Sequence, residues 1–305
     1  MRFEKGKLIK DLTTLGIGGR AKLFATVHSE KELEEVFEKA DSLSWFVIGS
    51  GSNVVGPDGG FDGLIIKINI NQFKNSRSGI IVGGGNNLLA FIKKINSLGY
   101  RGMEKMAGIP GTIAGAIYGN AGAYGQEIKD NITRVRIFDG KHFRWISRKV
   151  CEFGYRSSIF KKNKNWIIVG AEFKLEKGDP EKLEVASRET MRLRYKKYKR
   201  GILCPGSFFK NIVLGDLGSL SRKKLLSRID QSKINHGKLP TGYLLEEVGA
   251  KGMSSGKIFV SEHHGNLIFN NGGGRAKDIK ILAKKLKEKV FRKFGIMLEE
   301  EVQYL

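Results

Sequence analysis

Residues 100–125 read Tyr-Arg-Gly-Met-Glu-Lys-Met-Ala-Gly-Ile-Pro-Gly-Thr-Ile-Ala-Gly-Ala-Ile-Tyr-Gly-Asn-Ala-Gly-Ala-Tyr-Gly. From Met106 to Gln126 no side chain is charged, and six glycines and Pro110 fall within that run. Such a segment gains little from side-chain burial and costs much backbone entropy to order. A chain that keeps it needs bare backbone close to something, and the usual partners are a phosphate or a flat heterocycle. Gly111-x-x-x-Gly115-x-x-x-Gly119 mimics a membrane helix-pairing motif. Leu, Phe and Val are absent from the run, however, and Pro110 and Asn120 interrupt it, so no membrane span is expected. A purely structural glycine loop is the plainer alternative, but loops this long are usually functional.

The rest of the composition sets the frame. The chain has 305 residues, enough for two or three domains with a full core. A hydrophobic share of 40% and a charged share of 28% are those of a soluble globular protein. Glycine is the outlier at 40 residues. The glycines cluster at 16–19, 49–63, 83–85, 102–125 and 272–274, which suggests several backbone-to-ligand loops. The formal net charge of +23 invites a nucleic-acid reading. Against it, Lys and Arg are spread along the chain with one dense block, Arg192 to Arg200, whose only interleaved aromatics are Tyr195 and Tyr198. No nucleic-acid partner is expected. Cys151 and Cys204 form no C-x-x-C and no metal spacing, so a reducing compartment and no metal are expected. The N-terminus has no apolar signal region, and a cytoplasmic protein is expected.

Hydrophobic periodicity places the elements. Ser29 to Glu32 reads as a capping box, followed by Leu33, Val36, Phe37 and Ala40 at helical spacing. Trp45 to Ile48 reads as a buried strand that ends in the tight turn Gly49 to Asn53. Leu64–Ile70, Ile80–Val82, Val135–Phe138, Phe143–Ile146 and Trp166–Leu175 read as strands, and Leu88–Leu98 as a helix. Pro180 to Lys197 reads as a helix with Leu183, Ala186, Thr190, Met191 and Leu193 inward. Ile279, Leu282, Ala283, Leu286, Val290 and Phe294 mark a last helix, with Gly295 at its C-terminal stop and a strand over Glu301–Leu305. Strands and helices mix without strict alternation, so the fold class is α+β.

The common nucleotide fingerprints fail. Gly49-x-Gly51-x-x-Val54 lacks a third glycine, and there is no G-x-x-x-x-G-K-[ST]. The ordered set of motifs nevertheless matches one family. Thr13-Thr14-Leu-Gly-Ile-Gly18-Gly19 comes first, then Ile48-Gly-Ser-Gly-Ser-Asn53. Gly108-Ile-Pro-Gly-Thr112, Asn120-Ala-Gly-Ala-Tyr-Gly125 and Tyr155-Arg156-x-Ser158-x-Phe160 follow. Gly206-Ser207-Phe-Phe-Lys-Asn211, Gly249-Ala-Lys-Gly252, His264-Gly-Asn266 and Leu298-Glu-Glu-Glu301-Val302 complete the series. In this order the chain resembles the UDP-N-acetylenolpyruvoylglucosamine reductases (MurB).

The resemblance implies a two-lobed FAD-binding region of the vanillyl-alcohol-oxidase (PCMH) type, over 1–70 and 71–195, and a C-terminal α+β UDP-sugar domain over 196–305. It implies non-covalent FAD, NADPH as co-substrate, and UDP-N-acetylglucosamine enolpyruvate as substrate in peptidoglycan precursor synthesis. A monomer is expected. Arg156, Ser207 and Glu301 match the family's catalytic residues. In that chemistry an enolpyruvyl ether receives a hydride, which leaves a carbanion beside a carboxylate; a fixed cation and an acid are then needed. Arg156 supplies the cation, Ser207 the proton to carbon, and Glu301 polarises the substrate carboxylate, with Glu299 as the fallback. For the flavin, Gly49, Ser50, Gly51, Ser52 and Asn53, with Gly108, Ile109, Pro110, Gly111 and Thr112, would present N–H groups. Asn120, Ala121 and Gly122 would follow the ring. Tyr155, Lys210, Asn211 and His264 are assigned to the UDP-sugar. Arg194-Tyr-Lys-Lys-Tyr-Lys-Arg200 lacks the family's usual Gln-Pro, and Ile212 stands where Pro is common. The alternatives are another flavin-dependent oxidase or dehydrogenase on the same fold, or a basic nucleic-acid-binding protein. NADPH and the sugar nucleotide are expected to use one pocket in turn.

Overall fold

The structure is a computed structural model that describes residues 2–40, 43–198 and 201–305; Lys199 and Arg200 of the basic block lie outside the described residues. The chain forms two compact units. The first comprises Met1–Lys7, Ala21–Ser50 and Asp62–Lys196, and the second Leu8–Arg20, Gly51–Phe61 and Lys197–Leu305. Two N-terminal excursions, Leu8–Arg20 and Gly51–Phe61, thus group with the C-terminal residues. Packing is the reason: Leu15, Ile17 and Val55 are buried in one apolar cluster with Leu282, Leu286 and Phe294.

The first unit contains two sheets. One has the order Glu4–Lys5, Ala21–Val27, Phe61–Ile68, Trp45–Ile48. Trp45–Ile48 and Phe61–Ile68 run parallel. Leu64, Ile65 and Ile66 are buried in succession, the signature of a strand covered on both faces. The Glu30–Lys39 helix packs Leu33 and Val36 against Ala25, Val27, Leu64 and Ile66. Ser29 Oγ accepts from Glu32 N at 3.1 Å, as the capping box predicts, but the Glu32 carboxylate reaches His28 N at 2.8 Å rather than Ser29. The second sheet is antiparallel, in the order Phe143–Ser147, Ile132–Phe138, Ile167–Phe173, Gly79–Gly83, Phe73–Ser76. Its side chains Ile80, Val82, Val135 and Phe173 share a core with Leu88, Phe91, Ile113 and Ile117 of the Leu88–Ser97 and Ile113–Tyr118 helices.

The Pro180–Lys197 helix corrects one expectation: Leu183, Ser187 and Thr190 form its buried stripe, and Leu193 is 42% exposed. Asn96 Nδ2 donates to Ser187 Oγ at 2.7 Å, so this face seats a hydrogen bond beside the apolar side chains of Leu183 and Met191.

The second unit is built on the sheet Ser254–Ser255, Ile258–Ser261, His264–Asn270 and the helices Thr241–Glu247 and Ala276–Phe294. Gly295 closes the long helix at φ +71°, and its N–H donates to Phe291 O at 2.7 Å. The expected final strand shortens to Gln303–Tyr304, which pairs in parallel with Val54–Val55. The mixture of elements is α+β. Among the described residues no helix is long and apolar enough to cross a membrane.

Candidate active site

In the first unit the glycine-rich segment is closed at its two ends by Glu104 and Gln126. The Glu104 carboxylate accepts from Gly102 N and from Gln126 Nε2, both at 2.8 Å, and Gln126 Oε1 accepts from Lys105 N at 2.8 Å. Burial pushes the Glu104 carboxyl up, but these hydrogen bonds outweigh it and hold it below its usual range. Within the segment, Thr112 caps the Ile113–Tyr118 helix through Gly115 N at 3.2 Å. Gly49 abuts that hydroxyl so closely that a Cβ there would meet Thr112 Oγ1 at 2.6 Å. The two glycine loops are therefore one surface, formed by Gly49, Ser50 and the 108–112 segment.

Fewer donors face outward than the sequence suggests. Pro110 has no N–H, and Ile109 N donates to Met106 O. Ile113 N and Ala114 N donate to Asn86 O and Gly84 O. Nor does the whole 49–53 run belong to this surface. Gly51 sits in the second unit at φ +61°, where a Cβ would meet Leu12 O at 1.9 Å. Asn53 also belongs there: its Nδ2 donates to Glu301 O at 3.1 Å, and its carbonyl accepts from Gln303 N at 2.9 Å.

Arg156 and Asn120–Gly122 come together. Gly154 and Ser157 exchange two backbone hydrogen bonds at 3.0 and 3.2 Å, and this tight turn puts Arg156 at φ +51°, a strained position for a non-glycine residue. The guanidinium Nη2 donates to Gly122 O at 2.8 Å and Nη1 to Asn120 O at 3.4 Å. The Tyr155 ring lies 5.5 Å from its Cζ. Ser158 Oγ donates to Tyr118 O at 2.7 Å and ties this turn to the glycine-rich helix. Asn120 is buried at φ +42°, and its Nδ2 donates to Gly154 O at 2.8 Å and Glu127 Oε2 at 3.0 Å. Its Oδ1 is buried and accepts from no described residue.

In the second unit Ser207 and Glu301 lie on adjacent chain segments. Ser207 bridges to Leu267. The next residue, Phe208, donates its N–H to Asn266 O at 3.1 Å and accepts Glu301 N on its carbonyl at 2.8 Å. Asn266, which is buried, clamps Phe209 twice: Oδ1 accepts from Phe209 N and Nδ2 donates to Phe209 O, both at 2.8 Å. Glu299, the fallback, forms an exposed ion pair with Lys210. The other residues assigned to the sugar nucleotide have structural partners here. Asn211 Oδ1 accepts from Thr241 N at 3.2 Å. His264 Nδ1 accepts from Asn266 N at 3.1 Å, and the ring packs where a Cβ on Gly242 would stand 2.8 Å from Cε1.

Tyr198, read from the sequence only as part of a basic block, places its hydroxyl 2.9 Å from Ser207 Oγ. The nine-residue offset carries no periodic signal. Burial pushes the Cys151 thiol up to about 12; it also raises that of the half-buried Cys204, which the backbone of Gly206, next to Ser207, partly offsets by a hydrogen bond. Among the described residues no cluster of three or more His, Cys, Asp or Glu could hold a metal.

Residues 199–305 match the family model described as the UDP-N-acetylenolpyruvoylglucosamine reductase C-terminal domain, and residues 21–142 match that of an FAD binding domain. The chain is 38% identical to the UDP-N-acetylenolpyruvoylglucosamine reductase of Solibacter usitatus (strain Ellin6076), over 96% of this chain and 93% of that one. It is 36% identical to the enzyme of that name from Carboxydothermus hydrogenoformans, over 96% and 90% of the two chains. The crystal structure of the Thermus caldophilus enzyme superposes with a TM-score of 0.78 at 30% identity, covering 100% of this chain and 99% of that one. With full-length identity of this order, and with both halves matched by their own family models, the chain belongs to the UDP-N-acetylenolpyruvoylglucosamine reductase family.

Proposed function

We propose that the protein reduces UDP-N-acetylglucosamine enolpyruvate to UDP-N-acetylmuramate with NADPH, using bound FAD, in peptidoglycan precursor synthesis in the cytoplasm. One observation carries the reading: the Arg156 guanidinium rests on the carbonyls of Asn120 and Gly122, so the assigned cation sits on the assigned flavin segment.

The residues fit a flavin. Gly49 and Thr112 leave no room for a methyl group between the two loops, which keeps bare backbone at the surface. Among the described residues nothing donates to the buried Asn120 Oδ1, at a cost of about 1–3 kcal/mol that a ligand N–H would relieve. Gly49, Ser50, Gly108–Thr112 and Asn120–Gly122 would hold the group. When bound, FAD supplies hydride transfer from NADPH to the enolpyruvyl group.

The chain's own residues do the rest. Once the terminal carbon has its hydride, the adjacent carbon bears an electron pair conjugated with the carboxylate. Arg156 neutralises that developing dianion, a role whose loss typically costs ~100–1,000-fold in rate. Its carbonyl partners and the Tyr155 ring fix the guanidinium beforehand, so little reorganisation is needed. Ser207 gives its hydroxyl proton to the carbon. Backbone bonds on both sides of its segment hold the Ser207 main chain in place. Glu301 orients the substrate carboxylate, while Lys210 and Asn211 serve the diphosphate and sugar.

The purified protein should be yellow, bleach with NADPH in the absence of oxygen, and regain colour on adding the UDP-sugar, with a product two mass units heavier. A colourless protein, or a reduced one that this substrate cannot reoxidise, would falsify the reading. Ser207→Ala should bleach with NADPH within about twofold of the wild-type rate and reoxidise ~100-fold more slowly. Arg156→Ala should show the same asymmetry. Equal slowing of both half-reactions would make these binding or folding residues instead.

A further inference from the structure

We infer that Tyr198 is a positioning residue that orients the Ser207 hydroxyl and returns a proton to it; the inference rests on the proton-donor role proposed for Ser207. The phenol oxygen stands 2.9 Å from Ser207 Oγ. Both ends of that bond are held. Tyr198 follows directly on the Pro180–Lys197 helix. Ahead of Ser207, Thr14 Oγ1 donates to Cys204 O at 2.8 Å and Asn270 N donates to Leu203 O at 2.8 Å. Gly206 then turns at φ +86°, and Ser207 enters its bridge with Leu267. The phenol comes from the very segment, 194–200, in which the family's Gln-Pro is missing.

The chemistry explains what a phenol adds. An aliphatic alcohol is about as weak an acid as water, whose pKa is ~15.7. A phenol, near ~10, is stronger by some five orders of magnitude. As the Ser207 O–H bond breaks, its proton forms the new C–H bond on the carbanion's electron pair. The Tyr198 O–H bond breaks in the same event, and that proton restores the serine hydroxyl. The negative charge therefore ends on a phenolate rather than an alkoxide. A solvent acid reprotonates the phenolate after product release. No electron changes hands in this step, so the balance needs only a proton from water.

The test is Tyr198→Phe in the flavin-loaded protein, with each half-reaction followed separately by rapid-mixing absorbance. Reduction by NADPH should be unchanged, and reoxidation by the UDP-sugar should slow about tenfold or more. In mixed H2O–D2O, the wild-type reoxidation rate should fall with deuterium fraction along a curve, reporting two protons in motion, and the Phe variant along a straight line, reporting one. Ser207→Ala/Tyr198→Phe should be no slower than Ser207→Ala. A second readout needs no turnover: with 3-fluorotyrosine at position 198, the 19F resonance should shift on Ser207→Ala. Wild-type reoxidation in Tyr198→Phe, a straight line for both proteins, or an unmoved resonance overturns the relay while Ser207 keeps its role. Normal reoxidation in Ser207→Ala overturns the proton-donor reading, and the relay with it.

Discussion

At Gly49 a single hydrogen decides whether the surface proposed for the flavin closes. The nearest atom to a Cβ there is Thr112 Oγ1 at 2.6 Å, and the next, Thr112 Cγ2, is at 3.6 Å. Gly49→Ala should therefore destabilise the first unit by roughly 1–3 kcal/mol, the range for overpacking, and lower its flavin content. Because one oxygen makes the clash, Gly49→Ala/Thr112→Ala should recover most of the flavin content, short only of the lost helix cap, worth ~1 kcal/mol. Thermal melts and the flavin-to-protein absorbance ratio check both variants; a double variant no better than the single would refute the steric account. Residues of this kind are legible in sequence, since a glycine run announces that backbone must come close to something. Asn120 and Arg156 were legible only as motif positions. The left-handed backbone of Arg156 comes from the Gly154–Ser157 turn and that of Asn120 from the end of the Ile113–Tyr118 helix, where Asn120 N donates to Ile117 O and Ala121 N to Ala116 O; their mutual contact is tertiary. Tyr198 was not legible as a partner of Ser207, because the contact is tertiary and its nine-residue offset has no periodic signal.

Among the elements, the strand Ile167–Phe173 shows where periodic reading succeeds and where it stops. Every residue in it is buried, as a hydrophobic run at the centre of a sheet should be. Glu172 is buried too, at 2% exposure. It survives there because Ser78 Oγ at 2.5 Å, Ser76 Oγ at 2.9 Å, Arg134 Nε at 2.8 Å and Thr133 Oγ1 at 3.0 Å all donate to its carboxylate. Burial alone would raise its pKa, but these donors win and hold it at about 2, against an ordinary 4.5. A depressed carboxylate stabilises the fold fully above its ordinary value. That stability is lost as pH falls from 4.5 toward about 2. The shift corresponds to roughly 2–3 kcal/mol once screening is allowed for, since the Arg134 side chain is 42% exposed. In urea unfolding, Glu172→Gln should be less stable than wild type by about that amount at pH 7, and the two should converge by about pH 2. An equal gap at both pH values would show that the charge is not what matters. On the Pro180–Lys197 helix the expected Leu183 and Thr190 are buried, but Ser187 is buried as well and Leu193 is not, because a hydrophobic pattern cannot register a position held by a hydrogen bond.

On the scale of the whole molecule, the C-terminal family match starts at 199, but the folding unit does not. Residues 8–20 and 51–61 supply buried Leu15, Ile17 and Val55 to its core. They also supply the only strand partner of Gln303–Tyr304 among the described residues. Asp58 caps the Ala276–Phe294 helix from 218 residues away: its carboxylate oxygens accept from Ala276 N at 2.7 Å and Lys277 N at 3.0 Å. A carboxylate there also meets the positive end of the helix dipole. Asn270 Nδ2 donates to Leu15 O at 3.0 Å, a buried bond that the C-terminal segment cannot make alone. Losing three buried aliphatic side chains removes several kcal/mol, at ~1.5–3 kcal/mol each, from a unit whose total stability is on the order of 5–15 kcal/mol. An isolated fragment covering 199–305 should therefore lack protected amides and a cooperative melt, although a family model defines it as a domain. In the full chain, Asp58→Ala should cost ~1 kcal/mol and raise amide exchange first at Ala276 and Lys277. Hydrogen exchange read by mass spectrometry on both proteins decides the matter. A 199–305 fragment that melts cooperatively and protects its Ala276–Phe294 amides would show that the two N-terminal excursions decorate the unit rather than complete it.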